Sequence, residues 1–220
     1  MIEDTFRHKG LRERLSDELR TKGITDEKVL EAVRTVPRHF FVDPSLDALA
    51  YEDRALPIAC GQTISHPHTV AFQTQLLCVK PNDKILEVGT GSGYQASILA
   101  VMGARVLTIE RHDELFQKAQ QPITRLKYFV RFFHGDGYKG LPASAPFDKI
   151  LITCGAPIVP PDLLKQLKIG GIMVIPVGNE NYEMRRITKL SETETKEETF
   201  GNFSFVPMLE KKQGGVNKFL

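Results

Sequence analysis

The sequence predicts an α/β fold, a doubly wound and mostly parallel sheet, on three observations. The segment Ile85-Leu86-Glu87-Val88 opens directly into the alternate glycines Gly89, Gly91 and Gly93, and a helical pattern follows at once. Val106-Leu107-Thr108-Ile109 is a second strand-like run, and it ends in an acid, Glu110, 21 residues after Gly89. Beyond it, strand-like and helix-like segments alternate as far as Val177, the pattern of parallel strands joined by crossover helices.

Each element has a local signal. Leu11, Leu15 and Leu19 recur every four residues and give a first helix one apolar stripe, which Lys22-Gly23 stops. Thr25 is expected to cap a second helix, with Asp26 and Glu27 in the first turn complementing the helix dipole and Val29, Leu30 and Val33 buried. It ends at Val36-Pro37-Arg38, because the residue before a proline avoids helical geometry. Residues 37–67 hold Pro37, Pro44, Pro57 and Pro67 and read as a long functional loop, its Phe40, Phe41 and Tyr51 packed over a ligand site. A helix is expected over 68–79, with Val70, Phe72, Leu76 and Leu77 as its apolar set. Strands follow at 84–88, 105–110, 128–134, 149–153 and 172–177, the last entered through Gly170-Gly171. Helices are expected over 93–102, from Asp113, where Pro122 kinks or ends the helix, and from Pro161. Residues 184–190 and 202–208 read as an antiparallel pair, with the charged run 191–198 between them as a solvated loop. The expected organisation is one domain over 1–220: a helical and lid region to 80, a cofactor core over 81–180, and the strand pair over 181–220.

Composition narrows the function. At 220 residues with 41% hydrophobic and 25% charged side chains, the chain has the make-up of a soluble globular protein. A net charge of +2 provides no strong field for nucleic acid, so none is expected as a partner. No membrane partner is expected, because no apolar run approaches the roughly 20 residues that span a bilayer. With charge from Glu3 onward and no apolar signal region, the cytoplasm is the expected location, and with no oligomerisation signal in the sequence a monomer is the expected state. Cys60, Cys78 and Cys154 are too few and too scattered for a disulfide framework or a zinc site, and are expected to be buried thiols. His66 and His68 lack a second ligand pair, so no metal site is expected.

The glycine turn lets the backbone approach a ligand at the positive end of a helix, and a carboxylate at the end of the next strand can accept both hydroxyls of a ribose. An adenosine-containing cofactor follows. The spacing is G-x-G-x-G, not the G-x-G-x-x-G of dinucleotide sites, and Glu87 just before it would repel a pyrophosphate but suit a cation such as S-adenosylmethionine. Asp136, between two glycines, lies where it would close the same crevice at the carboxyl ends of the strands.

Several segments together resemble the protein-L-isoaspartate O-methyltransferase family over nearly the whole chain. They are Val36-Pro37-Arg38 with Phe40-Phe41-Val42, Gly61-Gln62-Thr63-Ile64-Ser65 with Pro67, the glycine turn, Gly135-Asp136-Gly137, Phe147-Asp148-Lys149-Ile150, Leu167-Lys168-Ile169-Gly170-Gly171 and Phe205-Val206-Pro207. The resemblance implies a Rossmann-like class I methyltransferase sheet and S-adenosyl-L-methionine as methyl donor. The implied acceptor is the free carboxylate of isoaspartyl residues in damaged proteins and peptides. It implies Glu110 as ribose ligand, Asp136 and Gly137 at the adenine, and Gly89, Gly91 and Gly93, with Glu87 and Ile64, around the donor. Thr63, Ser65 and Val206 would border the substrate, with Ser65 as the active-site hydroxyl. Two departures stand out: His66 and His68 replace residues more usual in bacterial relatives, and Ile152-Thr153-Cys154-Gly155 replaces a more usual alanine run.

This chemistry asks for few catalytic groups. A carboxylate is ionised at neutral pH and needs no general base, so orientation and exclusion of water carry the rate. Three other readings share parts of the pattern: a methyltransferase acting on a small molecule or RNA, a nicotinamide-dependent oxidoreductase, and a binding module that retains the fold without turnover.

Overall fold

Residues 3–210 are described by a computed structural model. Their centre is a seven-stranded sheet in the order β5-β4-β3-β6-β7-β8-β9. β3 (Lys84–Val88), β4 (Arg105–Glu110), β5 (Val130–His134), β6 (Phe147–Ile152) and β7 (Leu167–Val177) run parallel; β8 (Tyr182–Lys189) and β9 (Thr195–Phe203) are added antiparallel. β3 reads Ile-Leu-Glu-Val with four consecutive buried residues, as expected of a strand covered on both faces. On one face Ile85 and Val106 pack with the N-terminal helices; on the other Leu86, Val88, Leu107 and Ile109 form a second core with Ile150 and Ile152. Because β3 lies between β4 and β6, the chain crosses in opposite directions from it, and ligands bind outside the carboxyl ends of the strands at such a point.

The N-terminal helices α1 (Phe6–Thr21) and α2 (Glu27–Thr35) cover one face together with α3 (Pro67–Leu77) and α4 (Tyr94–Val101). Asp26, not Thr25, caps α2: its carboxylate accepts from the Lys28 N–H at 2.9 Å, whereas the Thr25 N–H is drawn to Gln75 Oε1 at 2.7 Å. Residues 37–67 are more ordered than a loop, with short 3-10 turns and a two-stranded pairing of β1 (Leu56–Pro57) with β2 (Thr63–Ile64). Of the aromatics expected there, Phe41 packs edge-on against Tyr94, 5.6 Å between ring centres, and Tyr51 is buried among α1 side chains.

Other expectations need correction. Helix α5 (Asp113–Arg125) passes through Pro122, because Leu115, Ala119 and Ile123 anchor it and the proline forfeits only one carbonyl's partner in the last turn. β7 begins at Leu167 and carries Gly170 within it, and its register against β6 shifts between Phe147 and Lys149. The charged run is not a solvated loop: Thr195-Lys196-Glu197-Glu198 opens β9, where Glu198 pairs with Arg186 at 2.8 Å and Glu197 with Arg185 at 3.4 Å. Opposite charges facing one another suit an edge strand. Nor is 205–208 part of that pair. It crosses back to the parallel sheet, where the Gly155 N–H donates to the Val206 carbonyl at 2.9 Å. Gly155 has to be glycine, since a Cβ there would lie 2.1 Å from the Tyr182 ring. The part of the expected C-terminal segment over 211–220 lies outside the described residues.

Candidate active site

A cleft of about 870 Å³, counting its open mouth, lies at the carboxyl ends of β3, β4 and β6. Its floor is the glycine turn. Gly89 sits at φ +95°, where a side chain is strained, and a Cβ there would come 2.6 Å from Thr153 Oγ1. That hydroxyl instead donates to the Gly89 carbonyl at 2.6 Å, tying the turn to the end of β6.

Glu110 ends β4 on the wall of the cleft and is 4% exposed. One carboxylate oxygen accepts from the Gly91 N–H at 3.0 Å and the other from the His112 N–H at 2.9 Å. Each oxygen keeps a lone pair, which fits two vicinal hydroxyls. Beside it Val88, Ile109, Leu115, Gly137 and Met208 offer an apolar slot of the kind that takes a purine. These residues fit S-adenosylmethionine.

Gln62-Thr63-Ile64-Ser65 and Val206-Pro207 line the same cleft. Ser65 does not cap α3, because His66 holds that position and no side chain caps the helix. Of the expected site residues, Thr63, Ile64, Ser65, Gly89, Gly91, Glu110, Gly137 and Val206 therefore line one cleft. Gly93 stands behind it as the N-cap of α4, and Asp136 as the N-cap of a 3-10 turn, its carboxylate accepting from the Tyr138 N–H at 3.0 Å.

Glu87 is not on the cleft wall either. It is fully buried on the other face of β3, where the Thr108 hydroxyl lies 2.5 Å from one carboxyl oxygen and the other oxygen has no partner. Burial, reinforced by the charge of Glu110, pushes this carboxyl up to about 8, against the opposing bond from Thr108. Glu87 is thus neutral at neutral pH.

Sequence spacing missed Gln95, His112 and Cys154, which also line the cleft. Proximity to the expected groups was the available signal: His112 lies two residues past Glu110 and Gln95 two past Gly93. Burial pushes the Cys154 thiol up to about 12, which leaves it unreactive at neutral pH. The expectation of three buried thiols fails for Cys60 and Cys78, both exposed at positive φ in tight turns. His66 and His68 do not line the cleft; His68 packs on Phe72, with its N–H given to Asp53 at 2.8 Å.

Among the described residues, Asp4, His8 and His39 lie close enough together to share an ion. Their atoms are already engaged: Arg12 grips both Asp4 oxygens at 2.7 and 2.9 Å, Asp47 lies 3.1 Å from His8 Nε2, and Tyr51 2.5 Å from His39 Nδ1. The two imidazoles stack with centres 3.8 Å apart, so their in-plane lone pairs run side by side and do not converge. The cluster docks α1.

Residues 10–213 match the family model described as protein-L-isoaspartate(D-aspartate) O-methyltransferase. The chain belongs to this family. A protein-L-isoaspartate O-methyltransferase of Christiangramia forsetii is 51% identical over 212 residues, covering 96% of this chain and all of that one. One from Methanopyrus kandleri is 45% identical, covering 95% and 96% of the two chains. Among solved structures, a Plasmodium falciparum member described as putative, in complex with S-adenosyl-L-homocysteine, superposes with a TM-score of 0.80 at 25% identity, covering 90% of this chain and 98% of that one.

Proposed function

We infer that this protein transfers a methyl group from S-adenosyl-L-methionine to the free carboxylate of L-isoaspartyl residues in damaged proteins and peptides, giving a methyl ester and S-adenosylhomocysteine. The observation that carries the reading is that the 62–65 segment lines one cleft with the glycine turn and Glu110, in a chain of this family. When bound, the cofactor supplies an activated methyl group.

The chain's own residues bind and orient. Glu110 holds the ribose, the backbone of the glycine turn lies along the donor, and Gly137 with its apolar neighbours takes the adenine. Ser65 donates its hydroxyl to one oxygen of the acceptor carboxylate and leaves the other free to attack. Thr63 and Val206 border the peptide. An acceptor already ionised needs no base, which accords with a wall made of neutral Gln62-Thr63-Ile64-Ser65. Holding two reactants in line is worth roughly 7–11 kcal/mol of barrier in favourable cases. No helix of the described residues is long and apolar enough to cross a membrane. A monomeric state, a cytoplasmic location and the absence of a nucleic-acid partner complete the proposal.

The test is methyl transfer from labelled S-adenosylmethionine to a matched peptide pair, one isoaspartyl and one aspartyl. Base-labile label on the isoaspartyl peptide alone is expected. Label on neither peptide, with the cofactor still bound, would refute the acceptor assignment and keep the cofactor site.

A further inference from the structure

Arg38 is the largest of the fully buried side chains, at 0% exposure, and no carboxylate among the described residues forms an ion pair with it. Asp53 is the acid that bears on it, and that group is already engaged by Lys22 Nζ at 2.7 Å and the His68 N–H at 2.8 Å. Burial draws the guanidinium down to about 10, so it remains charged at neutral pH. Its Nη2 donates to the Ser65 carbonyl at 2.8 Å and to the Arg54 carbonyl at 3.4 Å; Nε and Nη1 have no acceptor. The guanidinium lies 4.8 Å from the Tyr94 ring, which itself lines the cleft. Burying a charge without a carboxylate partner is costly, and two carbonyls with the Tyr94 ring are all that the described residues set against it.

What the cation touches accounts for it. Residues 54–65 fold back on themselves through the β1–β2 pairing, anchored in the core by Leu56 and Ile64, and end in the 62–65 segment that lines the cleft. One nitrogen of Arg38 grips both ends of that fold-back. In a trans peptide the carbonyl and the following N–H point in opposite directions. The Ser65 carbonyl turned inward to Arg38 therefore leaves the His66 N–H turned away from the guanidinium, and that N–H has no partner among the described residues. A cation on the carbonyl also polarises the peptide and makes that N–H a stronger donor.

We propose that Arg38 is a positioning residue for the acceptor: it fixes the Ser65–His66 peptide and supplies the positive potential that draws the substrate carboxylate to Ser65. It acts through the loop and touches neither substrate nor cofactor. This rests on the acceptor being a carboxylate, as inferred above.

The experiment compares wild type with Arg38→Gln and Arg38→Lys. It reads kcat and KM for an isoaspartyl peptide, Kd for S-adenosylhomocysteine, thermal stability, and inhibition by two peptides carrying a carboxylate or a carboxamide at the acceptor position. Loss of a charged partner from a buried hydrogen bond predicts that Arg38→Gln raises acceptor KM about tenfold or more. Cofactor Kd should stay within about twofold, and the preference for the carboxylate inhibitor should collapse. Arg38→Lys, which keeps the charge, should restore most of that preference. A folded Arg38→Gln with unchanged KM overturns the proposal, as does a parallel loss of cofactor and acceptor affinity in both variants. Should Arg38→Gln fail to fold, the wild type still decides: equal inhibition by the carboxylate and carboxamide peptides overturns it. A wild-type enzyme that methylates no isoaspartyl peptide overturns the acceptor assignment first, before any variant is made.

Discussion

Glu87→Gln should make the protein more stable at neutral pH, by an amount that shrinks to nothing in acid. The carboxyl is fully buried and its folded pKa is raised to about 8 from an ordinary value of 4.5. Between those two values the folded state holds a proton that the unfolded state has released, so stability falls as pH rises through this window. Above the folded pKa the loss is complete, and below about 4.5 both states are protonated and there is none. At about 1.4 kcal/mol per pH unit, holding that proton costs about 3 kcal/mol at pH 7. Glutamine has the shape of the protonated acid and no proton to hold, so it recovers much of this. Urea unfolding at pH 5, 6, 7 and 8 measures it. Circular dichroism is the suitable probe, since the chain has no tryptophan. The difference between variant and wild type should widen steadily from pH 5 to 8, and a difference independent of pH refutes the reasoning. Affinity for S-adenosylhomocysteine should survive, because a neutral carboxyl has no charge to lose.

Glu110→Gln removes one acceptor facing the cofactor and sets an NH2 group against the Gly91 or His112 N–H, so S-adenosylhomocysteine affinity should fall about 10- to 100-fold by calorimetry. An affinity within threefold of wild type would exclude Glu110 as the ribose ligand. Ser65→Ala should lower kcat on isoaspartyl peptide on the order of 10- to 100-fold and leave cofactor affinity unchanged, as expected of a group that only orients the acceptor. Undiminished turnover would remove Ser65 from the mechanism. Gly89→Ala places a Cβ 2.6 Å from Thr153 Oγ1 at φ +95°. It should cost about 1–3 kcal/mol of stability and most of the cofactor affinity, and a variant equal to wild type in both would show that the turn relaxes freely.

β3 and β4 were legible in the sequence to their last residue, because each apolar run is bounded by a turn and followed by a residue with a specific duty. β9 was not. Thr195-Lys196-Glu197-Glu198 carries the composition of a loop, and only Arg185 and Arg186 on the neighbouring strand make it a partner. That information lies in pairing, not in local pattern. The site divides in the same way. That Glu110, Gly89 and Gly91 meet at one cleft was readable from spacing alone, and that Thr63, Ile64, Ser65, Gly137 and Val206 join them from resemblance. Glu87 was misread because an acid beside a glycine turn looks like a charge offered to the ligand. Strand alternation puts it on the opposite face from Val88, away from the cleft and without its charge.

Glu87 and Arg38 make the sharper contrast. Both are fully buried, both have a polar atom without a partner, and neither lines the cleft. Neutralising Glu87 relieves an unfavourable burial, whereas neutralising Arg38 also gives up its bonds to the Ser65 and Arg54 carbonyls. They differ in the state they keep: the acid discards its charge, whereas the guanidinium retains it one hydrogen bond from Ser65. A cleft that must admit a carboxylate beside Glu110 gains from both choices, since another anion at the strand ends would repel the acceptor and a cation behind the 62–65 segment attracts it. The two substitutions should therefore part company in function. Neutralising Glu87 leaves acceptor KM unaltered because its charge was already absent, whereas neutralising Arg38 removes a charge that the acceptor senses.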